Sequence, residues 1–191
     1  MKQRFILLLA GTAVIASLYS CTPKAPADPL GAAIEEEMMK KTEGDYKFEF
    51  TALERVDTTT FRQEIEKRLT SFNLILRQNK NLYDSYVRQG KRQNAERKSA
   101  SIVLDEKMIS HLTDLQASMR GLDNVAFYIY KFSAKGETTE GKFTVSDLYS
   151  AVTPDGRVIA TSKELGELRK LTGRVIPGYG DILDHADAEI E

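Results

Sequence analysis

The stretch Phe61–Gly90, FRQEIEKRLTSFNLILRQNKNLYDSYVRQG, decides the architecture. Phe61, Ile65, Leu69, Phe72, Leu76, Asn79, Tyr83, Tyr86 and Gly90 follow one another at steps of three or four residues. That spacing predicts a helix with a seam sustained over about four heptads. Ile75, Leu82 and Val87 widen the seam, and a helix of this length requires a partner surface. Just upstream, Asp57-Thr58-Thr59-Thr60 ends in a hydroxyl three residues before Gln63, the spacing of a capping box. The helix is therefore expected to start at Phe61.

After this seam the pattern fails and charge replaces it. Arg88, Lys91, Arg92, Arg97 and Lys98 against Glu96 give the segment a net charge of +4. Apolar residues resume at Ile102, Met108, Leu112, Leu115 and Met119, and Arg120-Gly121 makes a good helix stop. The reading is an antiparallel αα-hairpin with a shorter second arm. On either side of it lie strand signals. Tyr46, Phe48, Phe50 and Ala52 alternate with polar residues, Val125 to Phe132 is strongly β-prone, and Phe143 to Val152 and Val158 to Thr161 follow beyond turns. Lys163 to Leu171 reads as a last helix. The order β-α-α-β-β-β-α predicts an α+β fold: an antiparallel sheet of three to four strands packed against a long αα-hairpin.

The first residues carry a different kind of information. Lys2 and Arg4 precede a 14-residue uncharged, mostly apolar run, Phe5 to Leu18, and then Leu18-Tyr19-Ser20-Cys21. A helix of that length reaches roughly 21 Å, short of a bilayer's hydrocarbon core, so the run reads as the h-region of a signal peptide. Leu18 to Cys21 resembles the lipobox of bacterial lipoproteins, with Tyr19 departing from the small residue usual at its position. The resemblance covers residues 1–21 and implies cleavage before Cys21, lipidation of its thiol with diacylglycerol and usually acylation, palmitate being typical, of its new amino group. The membrane is then a partner through Cys21. With Thr22 rather than Asp after the cysteine, and no acidic cluster there, the resemblance implies the outer membrane with the domain facing the periplasm. Cys21 is the one cysteine, which excludes an intrachain disulfide.

Four regions follow: a signal peptide over 1–20, a lipidated Cys and flexible tether over 21–44, a single α+β domain over 45–176, and an acidic, mostly disordered tail over 177–191. Pro23, Pro26 and Pro29 argue for the tether, and Pro177-Gly178-Tyr179-Gly180 for the break before the tail. Removing Lys2 and Arg4 with the signal leaves 25 basic and 28 acidic residues, a net charge of −3. That balance is no platform for nucleic acid.

Catalytic signals are sparse. His111 and His185 lack partners at ligand spacing, and Asp181, Asp184, Asp187 and Glu189 lack a calcium-loop framework, so no metal and no cofactor are expected. There is no G-x-S-x-G and no phosphate-cradling glycine loop. Asp105-Glu106 reads as helix-start capping rather than an acid/base pair. Two features rise above background. Arg88, Lys91, Arg92, Arg97 and Lys98 form either a solvated connector or a grip on an anionic headgroup or acidic partner. Tyr128, Tyr130 and Phe132 share one strand face, which is either an exposed aromatic binding surface or a second covered face with hydroxyls reaching water. The functional expectation is an envelope-anchored lipoprotein whose domain binds or scaffolds an envelope protein, or a second copy, without catalysis. The alternatives are a hydrolase built from scattered residues, or an accessory subunit of an envelope transport or conjugation machine.

Overall fold

A computed structural model describes residues 28–40, 47–138 and 141–188. The elements run α1 (Pro29–Lys40), β1 (Lys47–Thr60), α2 (Phe61–Arg88), α3 (Arg92–Ser118), β2 (Val125–Thr138), β3 (Gly141–Val152), β4 (Val158–Ser162), α4 (Leu165–Leu171), a 3-10 turn (Thr172–Val175) and α5 (Tyr179–Ala188). The four strands form one antiparallel sheet in the order β1-β2-β3-β4. The fold is α+β, with the sheet against the α2–α3 pair, as the periodicities indicate.

Strand passes to helix at Thr60. Its hydroxyl accepts from Gln63 N while the Gln63 side chain accepts from Thr60 N, the capping box read in the sequence. Phe61 N and Arg62 N donate to the carbonyls of Asn124 and Leu122, which ties the start of α2 to the turn leading into β2. Gly121, at φ +79°, makes that turn, a backbone conformation in which a side chain would be strained.

Successive residues of β2 point to opposite faces, and each face has its own core. Phe127 and Ile129 meet Ile65 of α2, Met108 and Leu112 of α3, Leu168 of α4, and Ile176. On the reverse face Tyr130, Phe132 and Ala134 pack with Ile34 of α1, joined by Phe48, Phe50 and Val152. Phe50 stacks edge-on against Phe132 with ring centroids 5.5 Å apart.

Three expectations are corrected. The tether assigned to 21–44 contains a docked helix over Pro29–Lys40. Proline is favoured at the first helical position, Asp28 Oδ1 accepts from Leu30 N, and Leu30, Ile34 and Met38 at steps of four turn one side to the sheet. The tail assigned to 177–191 contains α5, and the expected break at Pro177–Gly180 is instead a turn into it. Gly178 supplies φ +71°, and Tyr179 is buried against Arg68 and Phe72. Finally, the second hairpin helix is shorter by a single residue, so the two arms are nearly equal: α3 has 27 residues against 28 in α2, and only Gln89, Gly90 and Lys91 connect them. Arg, Gln, Ala, Glu and Lys are good helix formers, so α3 begins at Arg92 without an apolar seam to mark it. Asp105-Glu106 consequently lies in mid-helix rather than at a helix start.

Candidate functional site

The base of the hairpin belongs to the core and its distal part does not. Among the described residues, nothing in α2 beyond Phe72 and nothing in α3 before Leu104 joins either core cluster. Residues 74–103 therefore form a two-helix arm whose inner seam is thin. Its buried members are Asn79 and Ala95 rather than large apolar side chains. Asn79 Nδ2 donates to Asp105 Oδ2 at 2.7 Å, and Lys98 Nζ donates to Asn79 Oδ1 at 2.9 Å. Burial pushes the Asp105 carboxyl above its usual range, with Asn79 and Lys98 pulling the other way. Lys80 and Glu106 close the rim at 2.9 Å.

Leu76, Tyr83, Tyr86 and Ile102 are half-buried along the arm, but several of its large apolar side chains lie outside this seam. Ile75 and Leu82, one heptad apart on a single flank of α2, are each 41% exposed. Leu74 beside them is 53% exposed, Val87 54%, and Val103 on α3 63%. At the tip, Tyr83, Val87, Gly90, Arg92, Ala95, Glu96 and Ser99 line a groove of about 340 Å³.

The basic residues read in the sequence gather at this tip without converging on one point. Arg88 ends α2 and its Nε donates to the carbonyl of Asp84. Lys91 lies in the connection, Arg92 pairs with Glu96 one turn on at 2.9 Å, and Arg97 is exposed. Lys98 is turned inward to Asn79.

Of the two readings of the aromatic set, the structure shows the covered face and not the exposed binding surface. Tyr130 and Phe132 are 1% exposed beneath α1, and Tyr128 is half-buried under the Arg55 guanidinium, 5.0 Å from its ring centroid. Tyr130 OH donates to Asp28 Oδ2 at 2.6 Å. Burial first, and that bond second, hold the Tyr130 hydroxyl above its ordinary value. Cys21 lies outside the described residues.

A second polar constellation, absent from the sequence reading, sits at the hairpin base. Glu64 is fully buried, and its Oε1 accepts from Arg68 Nη2 at 2.6 Å, Arg68 Nε at 2.8 Å and Thr172 Oγ1 at 2.9 Å. Its Oε2 accepts from Lys67 Nζ at 3.3 Å. Arg68 also donates to the carbonyls of Arg169 and Lys170. Beside it, Asp57, Thr59, Gln63, Lys67 and Arg169 line a groove of about 260 Å³, with Arg169 paired to Asp57 at 2.7 Å. Burial lowers the Lys67 ammonium from its usual value, and Glu64 opposes this. Both Glu64 oxygens are taken up by the chain's own donors, so the cluster works as a clamp between α2 and the segment after α4. The available signal was the i,i+4 spacing of Glu64 and Arg68 beside the seam residues Ile65 and Leu69, a spacing that usually means an exposed pair.

Among the described residues no three His, Cys, Asp or Glu side chains come together as a metal site. Nor is any described helix long and apolar enough to cross a membrane. No protein-family model, curated protein or solved structure matches this chain.

Proposed function

We propose that this chain is an envelope lipoprotein, anchored at the outer membrane through Cys21, whose periplasmic α+β body holds out a two-helix arm as a non-catalytic docking element. The observation that carries this reading is the exposed flank of α2, with Leu74, Ile75 and Leu82 in solvent along a stretch that, among the described residues, α3 alone accompanies. Large apolar side chains kept in water along one line mark an interaction surface rather than a contribution to folding. The body supports such a role mechanically. Its two cores and the Glu64–Arg68–Thr172 clamp fix the hairpin base, so the arm is presented from a rigid mount.

The test is in-cell photo-crosslinking from single positions of the full-length, anchored chain. A photoreactive residue replacing Leu82 is expected to give a discrete adduct in intact cells. The same residue replacing exposed Thr144 of β3 is expected to give none. Equal labelling from both positions, or none from position 82, contradicts the docking role.

A further inference from the structure

Resting on that reading, we infer that the arm's occupant is an acidic amphipathic helix of a partner protein, laid along the Leu74–Leu82 flank of α2 to complete a three-helix bundle. The width of the apolar face supplies the first argument. A helix that meets one neighbour needs only the narrow a/d seam, whereas apolar residues at a, d and a flanking position suit a helix with two neighbours. With Leu69, Leu76 and Tyr83 at a, and Phe72, Asn79 and Tyr86 at d, Ile75 and Leu82 both fall at g. Among the described residues only α3 accompanies this part of α2, and none supplies a second neighbour.

Charge specifies its chemistry. Residues 74–103 hold seven basic side chains (Arg77, Lys80, Arg88, Lys91, Arg92, Arg97, Lys98) against Asp84 and Glu96, a net charge of +5. Arg88, Lys91, Arg92 and Arg97 lie at the tip rather than beside Leu74 and Leu82, so the charge acts as a long-range attraction of the whole arm, favouring an acidic partner and penalising a second copy of the same arm. Gln78 argues for protein over lipid. It is exposed four residues from both Leu74 and Leu82, at the centre of the apolar flank. Acyl chains would strip that amide of its hydrogen bonds, whereas a partner helix can answer it.

The experiment uses the full-length lipidated chain in detergent and two synthetic helical peptides with the same leucine heptad, one carrying Glu at its flanking positions and the other Lys. The Glu peptide is expected to bind about tenfold more tightly than the Lys peptide at low salt, converging on it as salt rises. Leu82→Glu is expected to abolish that binding with the far-UV circular dichroism unchanged, and Thr144→Glu to leave it intact. The comparison between peptides needs no variant, so a misfolded Leu82→Glu chain leaves it decisive. Equal affinities, no binding by either peptide, arm-dependent binding to phosphatidylglycerol vesicles in preference to the Glu peptide, or sedimentation as an arm-mediated dimer would each overturn the inference. A cellular adduct from position 82 to a protein offering no acidic helix sinks this inference alone; no adduct at all sinks the docking role beneath it.

Discussion

At the scale of single residues, a charge taken out of water is costly to leave without its partner. Glu64 is 1% exposed and its partner Arg68 nearly as enclosed, so Glu64→Ala strands a buried guanidinium. The expected loss is about 3–5 kcal/mol in urea unfolding. Replacing the pair together, as Glu64→Leu with Arg68→Met, should recover much of it, because two apolar side chains leave no orphan charge; a double variant as unstable as the sum of the singles contradicts the clamp. Tyr130→Phe removes one 2.6 Å hydrogen bond to Asp28 while keeping the ring. A cost of about 1–2 kcal/mol is expected, read as faster amide exchange in α1 than in α2. Sequence patterns expose the identity of such residues but not their burial. Glu64 and Arg68 have the spacing of an ordinary surface pair, and their significance comes from Thr172 and the carbonyls of Arg169 and Lys170, a hundred residues away in the chain.

At the scale of elements, periodicity was legible wherever an apolar face meets a core. The α2 seam, its Thr60 cap and the alternation of β2 are all direct consequences of burial on one side. What escaped are elements stabilised by docking onto a distant surface. α1 hides four apolar contacts, Leu30, Ala33, Ile34 and Met38, among one proline and a run of glutamates, and α5 follows a Pro-Gly pair because Tyr179 finds Arg68 and Phe72 waiting. The shared face of Tyr128, Tyr130 and Phe132 is legible in the alternation of β2, and a covered face was one of its two readings; that a helix over Pro29–Lys40 supplies the cover was not legible. α3 is the opposite case, a helix continued by propensity where the apolar pattern had lapsed. Its interior supplies a pH prediction. Burial raises the Asp105 carboxyl, so between the unfolded and folded values the native state holds the proton more tightly, and stability falls as pH rises through that window. Asp105→Asn keeps an acceptor for Asn79 and has no proton to lose. The variant should match the parent below the usual carboxylate range and exceed it in melting temperature at pH 7. A parent that is the more stable at pH 7 contradicts the assignment.

At the scale of the whole molecule, charge and hydropathy are unevenly divided. The arm carries +5 in a chain whose total is −1, which leaves −6 on the remainder. A basic, apolar-flanked arm on an acidic body is suited to reaching a partner while the body stays soluble. The proposed anchor would restrict where a partner lies, and on that proposal Cys21→Ser should move the protein from the membrane fraction to the soluble envelope fraction and abolish labelling by radioactive palmitate; an unchanged distribution contradicts the anchor. The proposed docking role is tested most directly by amide hydrogen exchange along the chain as the cell makes it, measured once after purification in detergent and once in native envelope vesicles. Docking predicts about tenfold slower exchange at residues 74–103 in the vesicles, with residues 47–72 and 104–184 unchanged between the two. Identical exchange of the arm in both settings would show that nothing covers the Leu74–Leu82 flank, and would contradict the account.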